Sequence, residues 1–188
     1  MSDNKVSVIC CYNKKDVLQG MLYKSLETQT ISFEFIPIDN TNNHLFTSAS
    51  AALNYGARKA KGEYVVFVHQ DIRIDSPTFL ESLIDHFESH KPCLLGLAGR
   101  SEDFHAYSNM KHGKNQDAGS KTLITPVLVQ TLDECFIASE RDLFLQYQFD
   151  ECLCDSWHLY AVDLCLSCGK DGIKSYVVPE PAYPPIYW

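Results

Sequence analysis

The sequence has no apolar run approaching the ~18 residues that a membrane-spanning helix needs. Its first residues, Met1 to Lys5, are polar, and the short apolar run at residues 6–11 ends at Tyr12-Asn-Lys-Lys-Asp16 rather than growing into a secretory h-region. A cytoplasmic protein without a transmembrane segment is expected. Positive charge is also scarce, with 16 Lys and Arg against 24 Asp and Glu and a formal net charge of −8. Nucleic-acid binders concentrate positive charge on one face, so nucleic acid is not an expected partner. Two phosphate-binding patterns are missing as well. Neither a G-x-G-x-x-G turn after the first strand nor a G-x-x-x-x-G-K loop is present, so a dinucleotide oxidoreductase or a P-loop ATPase would need another device. Internal repeats, interdomain linkers and low-complexity tracts are absent too.

What is there fits one domain spanning residues 1–188, of which 45% are hydrophobic and 21% charged. Eight cysteines without an export signal read as reduced thiols. Cys152, Cys154, Cys165 and Cys168 raise a zinc alternative, since thiolates suit tetrahedral Zn. The last two, however, fall in an apolar stretch where small buried thiols serve as core.

Strand and helix signals alternate through the first half. Residues 6–11, 33–38, 64–68 and 94–99 are apolar, β-rich runs. Between them, residues 16–28 and 48–60 carry apolar positions at helical spacing, and Ser76-Pro77 opens a third helix with Phe79, Leu80, Leu83, Ile84 and Phe87 on one face. This order predicts a mostly parallel sheet covered on both faces, an α/β/α sandwich that binds ligands at the carboxyl ends of its strands. Residues 100–121 lose periodicity and are expected to form a mobile loop near the site. Strands at 122–132 and 135–138, a helix at about 156–168 and a short strand at 175–178 complete the order. The proline-rich tail should be extended.

Polar residues stand at successive strand ends: Tyr12-Asn13, Asp39-Asn40 and Gln70-Asp71. Converging in one crevice, they could hold a base, a ribose and a metal-bound diphosphate. Asn54 and Arg58 lie four apart on a helix and can face one side, with Arg58 able to reach a phosphate or to remain an exposed surface residue.

The blocks Val6-Ser-Val-Ile-Cys-Cys-Tyr-Asn13, Phe35-Ile-Pro-Ile-Asp-Asn40, residues 51–64 and Val65-Val-Phe-Val-His-Gln-Asp71 resemble, in order and spacing, the opening of family 2 glycosyltransferases. The later blocks Thr131-Leu-Asp-Glu-Cys-Phe-Ile137 and Trp157-His-Leu-Tyr-Ala-Val-Asp-Leu-Cys-Leu166, with Phe149-Asp150 between them, resemble the streptomycin-biosynthesis-type subfamily. The resemblance implies a GT-A fold, with residues 1–99 as the nucleotide-binding half and residues 122–188 as the acceptor-side half. It implies transfer of a sugar from a nucleoside diphosphate donor to a saccharide, lipid-linked or small-molecule acceptor.

Position by position, it implicates Cys10 and Tyr12 at the nucleobase and Asp39 at the base or ribose, with Asn40 and Gln70 beside them. His69-Gln-Asp71 falls where the family has its Asp-x-Asp motif, so Asp71 and His69 are expected to hold Mg2+ or Mn2+ at the diphosphate. The family's general base is an Asp near the start of the last helix, where this sequence has Ala161. The neighbouring candidates are Asp163, Asp155 and His158. No His follows Pro179, where the family has a further metal ligand, so a minimal or C-terminally trimmed transferase is expected. Trp157, Tyr183, Tyr187 and Trp188 could pack as core or stack on a sugar. Two other readings stand beside this one: a catalytically impaired nucleotide-sugar binding module, and a nucleotidyltransferase, which would want a basic triphosphate loop.

Overall fold

The computed structural model describes residues 4–112, 116–117 and 123–182. The Tyr183, Tyr187 and Trp188 positions, and most of the far end of the expected loop, lie outside them. The elements in chain order are β1 (Val6–Tyr12), α1 (Lys15–Leu18), a π-helical turn (Gln19–Tyr23), α2 (Lys24–Leu26), β2 (Glu34–Asp39), α3 (Ala49–Lys59), β3 (Tyr64–Val68) and α4 (Phe79–His90). There follow β4 (Cys93–Gly96), β5 (Ala98–Arg100), β6 (Ala106–Ser108), β7 (Lys111–His112), β8 (Gln116–Asp117), β9 (Val127–Val129) and β10 (Thr131–Leu132). The chain then forms β11 (Phe136–Glu140), α5 (Arg141–Tyr147), α6 (Tyr160–Lys170) and β12 (Lys174–Val177).

The central sheet has seven strands in the order β2-β1-β3-β11-β4-β12-β9. Strands β2, β1, β3, β4 and β12 run one way; β11, wedged between β3 and β4, and β9 at the edge run the other. The mostly parallel three-layer architecture expected from the sequence is therefore present. Its two-residue side-chain period divides the core in two. Val6, Val8, Cys10, Tyr64, Val66 and Val68 face the side covered by α4 and by Leu18, Leu22 and Leu26. Ile9, Val65, Phe67, Leu94 and Ile137 face the opposite side, covered by α3, α5 and α6.

Helix α3 lies close on β1. A Cβ placed on Gly56 would stand 2.5 Å from Ile9 Cγ2 and 2.9 Å from Ile38 Cδ1. Ser48 caps the helix by accepting the Ala51 N–H at 3.2 Å.

Several boundaries differ from the sequence expectation. The run at 94–99 is two strands, because β5 leaves the central sheet at Leu97 to pair with β6 and β10 in a small antiparallel sheet. The expected strand at 122–132 is likewise split, β9 going to the central sheet and β10 to the small one. Part of the expected loop is thus regular structure, at β6 and β7. Helix α5, which lacked a clear apolar period, follows β11 directly. Helix α6 begins at Tyr160 rather than near 156, because Leu159 takes a left-handed conformation (φ 70°) that a helix cannot continue through.

Candidate functional site

A cavity of about 340 Å3 opens at the carboxyl ends of β1 and β3, where an open parallel sheet is expected to receive its ligand. Two walls form it. One comes from the strand ends and the start of α3, with Cys11, Tyr12, Asn13, Asn40, Asn43, Ala49, Leu53 and the run from Phe67 to Asp71. The other comes from Glu134, just before β11, and from Trp157, His158 and Tyr160 at the entry to α6.

The first wall is tied together by its own polar groups. Gln70 Oε1 accepts the backbone N–H groups of Asn13 at 3.2 Å and Lys14 at 2.9 Å, while its Nε2 donates to Asn13 Oδ1 at 2.8 Å. The ends of β1 and β3 are thereby held at a fixed separation. Asn40, 1% exposed, donates from its backbone to Tyr12 O at 2.8 Å, and its amide holds both Leu45 N–H (3.1 Å) and the Phe46 backbone (3.0 Å for each bond). It shapes the loop that closes this side of the cavity. The adjacent Asp39 stands outside the cavity lining but bonds Tyr12, which is part of it. Its Oδ1 accepts the Thr41 N–H at 2.9 Å, and bonds from Thr41 and the Tyr12 hydroxyl hold its carboxyl below the usual carboxylate range.

His69 and Asp71 both line the cavity. The Tyr160 hydroxyl donates its one proton to the Glu134 carbonyl at 3.1 Å, so it faces His69 Nε2, 3.2 Å away, as an acceptor. His69 Nδ1 has no hydrogen-bond partner among the described residues. Among the described residues no hydrogen bond engages the Asp71 carboxylate, which leaves it available to a cation. No group of three or more His, Cys, Asp or Glu side chains is gathered for a metal among the described residues. A hard divalent ion fits such a place when it draws most of its ligands from diphosphate oxygens and water.

Most of the other sequence-predicted residues are placed elsewhere. Cys10 alternates away from the cavity into the α4-side core, while its neighbour Cys11 lines the cavity, its thiol pushed up to about 12 by burial and so neutral. Asn54 is buried and exchanges bonds with the Phe149 backbone (2.9 and 3.1 Å) and Glu151 (2.9 Å). Arg58 donates to Gln148 Oε1 at 3.1 Å and lies 3.8 Å from Glu151. Together they clamp the turn at 148–151 rather than reach a phosphate. Ala161 is wholly buried. Asp163, one turn into α6, and the exposed Asp155 both stand outside the cavity lining, whereas His158 stands in it.

Cys154, Cys165 and Cys168 are buried in the core on the α6 side, and Cys165 Sγ accepts the Leu132 N–H at 3.4 Å. Glu134 and Tyr160 are the polar wall residues that sequence reasoning missed. Their signals were faint: an acidic residue directly before a β-rich run, and a tyrosine at the foot of the last helix.

A sequence model of the glycosyltransferase-like family matches residues 7–188. The chain belongs to that family. Among curated proteins, no sequence is similar enough to count as a match. Solved glycosyltransferase structures share the fold. S. aureus TarS superposes with a TM-score of 0.71 at 17% identity, covering 96% of this chain and 36% of TarS. TarS 1–349 in complex with UDP-GlcNAc gives 0.70 at 16% identity, covering 98% of this chain and 59% of the other. GalNAc-T7 with UDP, GalNAc and Mn2+ gives 0.73 at 14% identity, covering 96% and 43%. The chain thus spans between 36% and 59% of the length of these structures. As a glycosyltransferase-like domain with a GT-A fold, it carries its cavity at the carboxyl ends of the parallel strands. No helix among the described residues is long and apolar enough to cross a membrane.

Proposed function

We propose that this domain is a cytoplasmic glycosyltransferase that moves a sugar from a nucleoside diphosphate donor to an acceptor hydroxyl by a single inverting displacement, and that it falls with the streptomycin-biosynthesis-type enzymes. One observation carries the reading: in a chain of this family, the Asp71 carboxylate, engaged by no hydrogen bond among the described residues, the linked strand ends Asn13 and Gln70, and an opposite polar wall face a single cavity.

Tyr12 offers an aromatic face to the nucleobase, and Asn40 fixes the loop beside it. Asp71, with His69 Nδ1, would hold Mg2+ or Mn2+ at the diphosphate. When bound, that ion offsets the charge that builds on the leaving group, a service an acidic chain of net charge −8 needs. In the displacement, the acceptor oxygen forms a bond to the anomeric carbon as the bond from that carbon to the diphosphate oxygen breaks. The bonding pair departs with the diphosphate. Trp157 and His158 stand where the acceptor would approach.

Titration of UDP, GDP and dTDP with Mn2+ or Mg2+, followed by turnover assays on the corresponding donor sugars, tests this. Binding and turnover of at least one donor is the expected result; absence of nucleotide binding overturns it. The buried Ala161, where the family has its base, favours a second reading as a nucleotide-sugar binding module. Binding without turnover would select that one.

A further inference from the structure

The wall opposite Asp71 carries a carboxylate to which the family resemblance assigned no role. Glu134 stands at the end of the turn into β11, with its side chain 20% exposed into the cavity. Its Oε2 lies 3.6 Å from Nδ1 of His158, whose ring is 81% exposed. Burial raises the Glu134 carboxyl above the usual carboxylate range, while the Leu159 backbone N–H and His158 pull it back down. The corner that delivers both of those groups is Leu159, a non-glycine residue held at φ 70° with 65% of its surface exposed. A leucine in the left-handed region is strained, and such outliers persist where the surroundings over-determine them. The Glu134 backbone carbonyl is itself pinned by the Tyr160 hydroxyl, so the residue is held at both its backbone and its side chain. Neither Asp155 nor Asp163 lines this cavity.

We infer that Glu134 is the general base for the acceptor hydroxyl, with His158 as the route by which the proton leaves. This rests on the transferase reading above. As the acceptor oxygen bonds to the anomeric carbon, its proton moves to the Glu134 carboxylate, and the donor's bonding pair leaves with the diphosphate. The proton then passes to the imidazole of His158 and from its exposed face to water. The carboxylate thus reaches the acceptor side from the turn before an antiparallel strand, while the position on the last helix is filled by buried Ala161.

Glu134→Gln preserves volume and removes the base. The test measures Mn2+-dependent UDP affinity by calorimetry, and turnover of UDP-, GDP- and dTDP-sugars with water and a panel of saccharides as acceptors. Wild type should bind and turn over. Glu134→Gln should bind UDP within about twofold of wild type and lose about 10²- to 10⁴-fold in turnover, the usual contribution of a positioned base. Glu134→Asp should recover part of that loss, and added formate should restore turnover to Glu134→Ala, a rescue that a structural role would not show. Wild-type turnover in Glu134→Gln overturns this inference and leaves the transferase reading standing. If the wild-type protein binds a nucleotide but turns over no donor, or binds no nucleotide at all, the transferase reading fails and takes the base with it.

Discussion

The two walls of the cavity are built on opposite terms. On the strand-end side, Gln70 spans the ends of β1 and β3 with three bonds, and Asn40, 1% exposed, is bonded through both its amide oxygen and its amide nitrogen. On the α6 side, Glu134 has a mostly exposed imidazole 3.6 Å away, and the backbone beside it turns through a left-handed leucine. The first wall is a scaffold whose geometry depends little on a ligand. The second is shaped at a cost in conformational energy. On the proposed reading, a binding surface and a reacting surface face each other across one space.

The largest effect should come from severing the support that joins the walls. Phe149 packs edge-on to Phe67 of β3 at 5.1 Å, to Phe144 at 5.0 Å and to Tyr160 at 5.0 Å. Phe149→Ala should therefore cost about 3–5 kcal/mol, read as a lower denaturant midpoint with the slope unchanged. Next in size is Asp71→Asn, which should weaken Mn2+-dependent UDP binding about tenfold or more, or about 1.4 kcal/mol. Adding EDTA to wild type should reproduce that loss, and equal affinities in calorimetry would refute the role given to Asp71.

Leu159→Gly should act on the second wall alone. Relief of the left-handed strain, less glycine's entropy, should raise Tm by about 2 °C while turnover falls severalfold as the corner loosens. A lower Tm would show that the corner is not strained. The smallest effect is a pH slope. Because the folded Glu134 carboxyl lies above its unfolded value, the native state binds the extra proton, and stability falls as pH rises through that raised range. His158 opposes this shift and Asp133 adds to it. Glu134→Gln should flatten the slope in pH-dependent unfolding, and an unchanged slope would show that the raised carboxyl lies elsewhere.

Much of the scaffold was legible in the residues. The run Tyr64–Val68 is buried at every position, as a strand covered on both faces must be, and α4 buries Phe79, Leu80, Leu83 and Phe87 from the apolar stripe read in the sequence. Strand ends could be found, but not which side chain at each end meets the ligand. Period two sends Cys10 to one core and Cys11 to the cavity, and a run of six residues of which five are apolar does not mark its faces. Asn54 and Arg58 do share a helix face, yet the partner of that face is the turn at 148–151, a contact that spacing along the chain cannot reveal. Glu134 was hidden for a related reason. A carboxylate before a strand reads as a turn residue until the strand is seen to enter the sheet backwards, which carries its leading end to the cavity mouth. The start of α6 was misjudged because the left-handed Leu159 has no local signature.

That reversed strand also sets when the site can exist. β11 registers against β3 with Phe136 opposite Val68 and Glu140 opposite Tyr64, so the chain must close a loop of several dozen residues before Glu134 meets the strand ends. Closing such a loop carries an entropic cost that the pairing repays only once made, and sheets joined through distant partners fold slowly. The parallel unit of β2, β1 and β3 comes from contiguous sequence and can assemble early. Nucleotide-binding competence should therefore emerge before catalytic competence during refolding, with the two separated by the time β11 takes to dock.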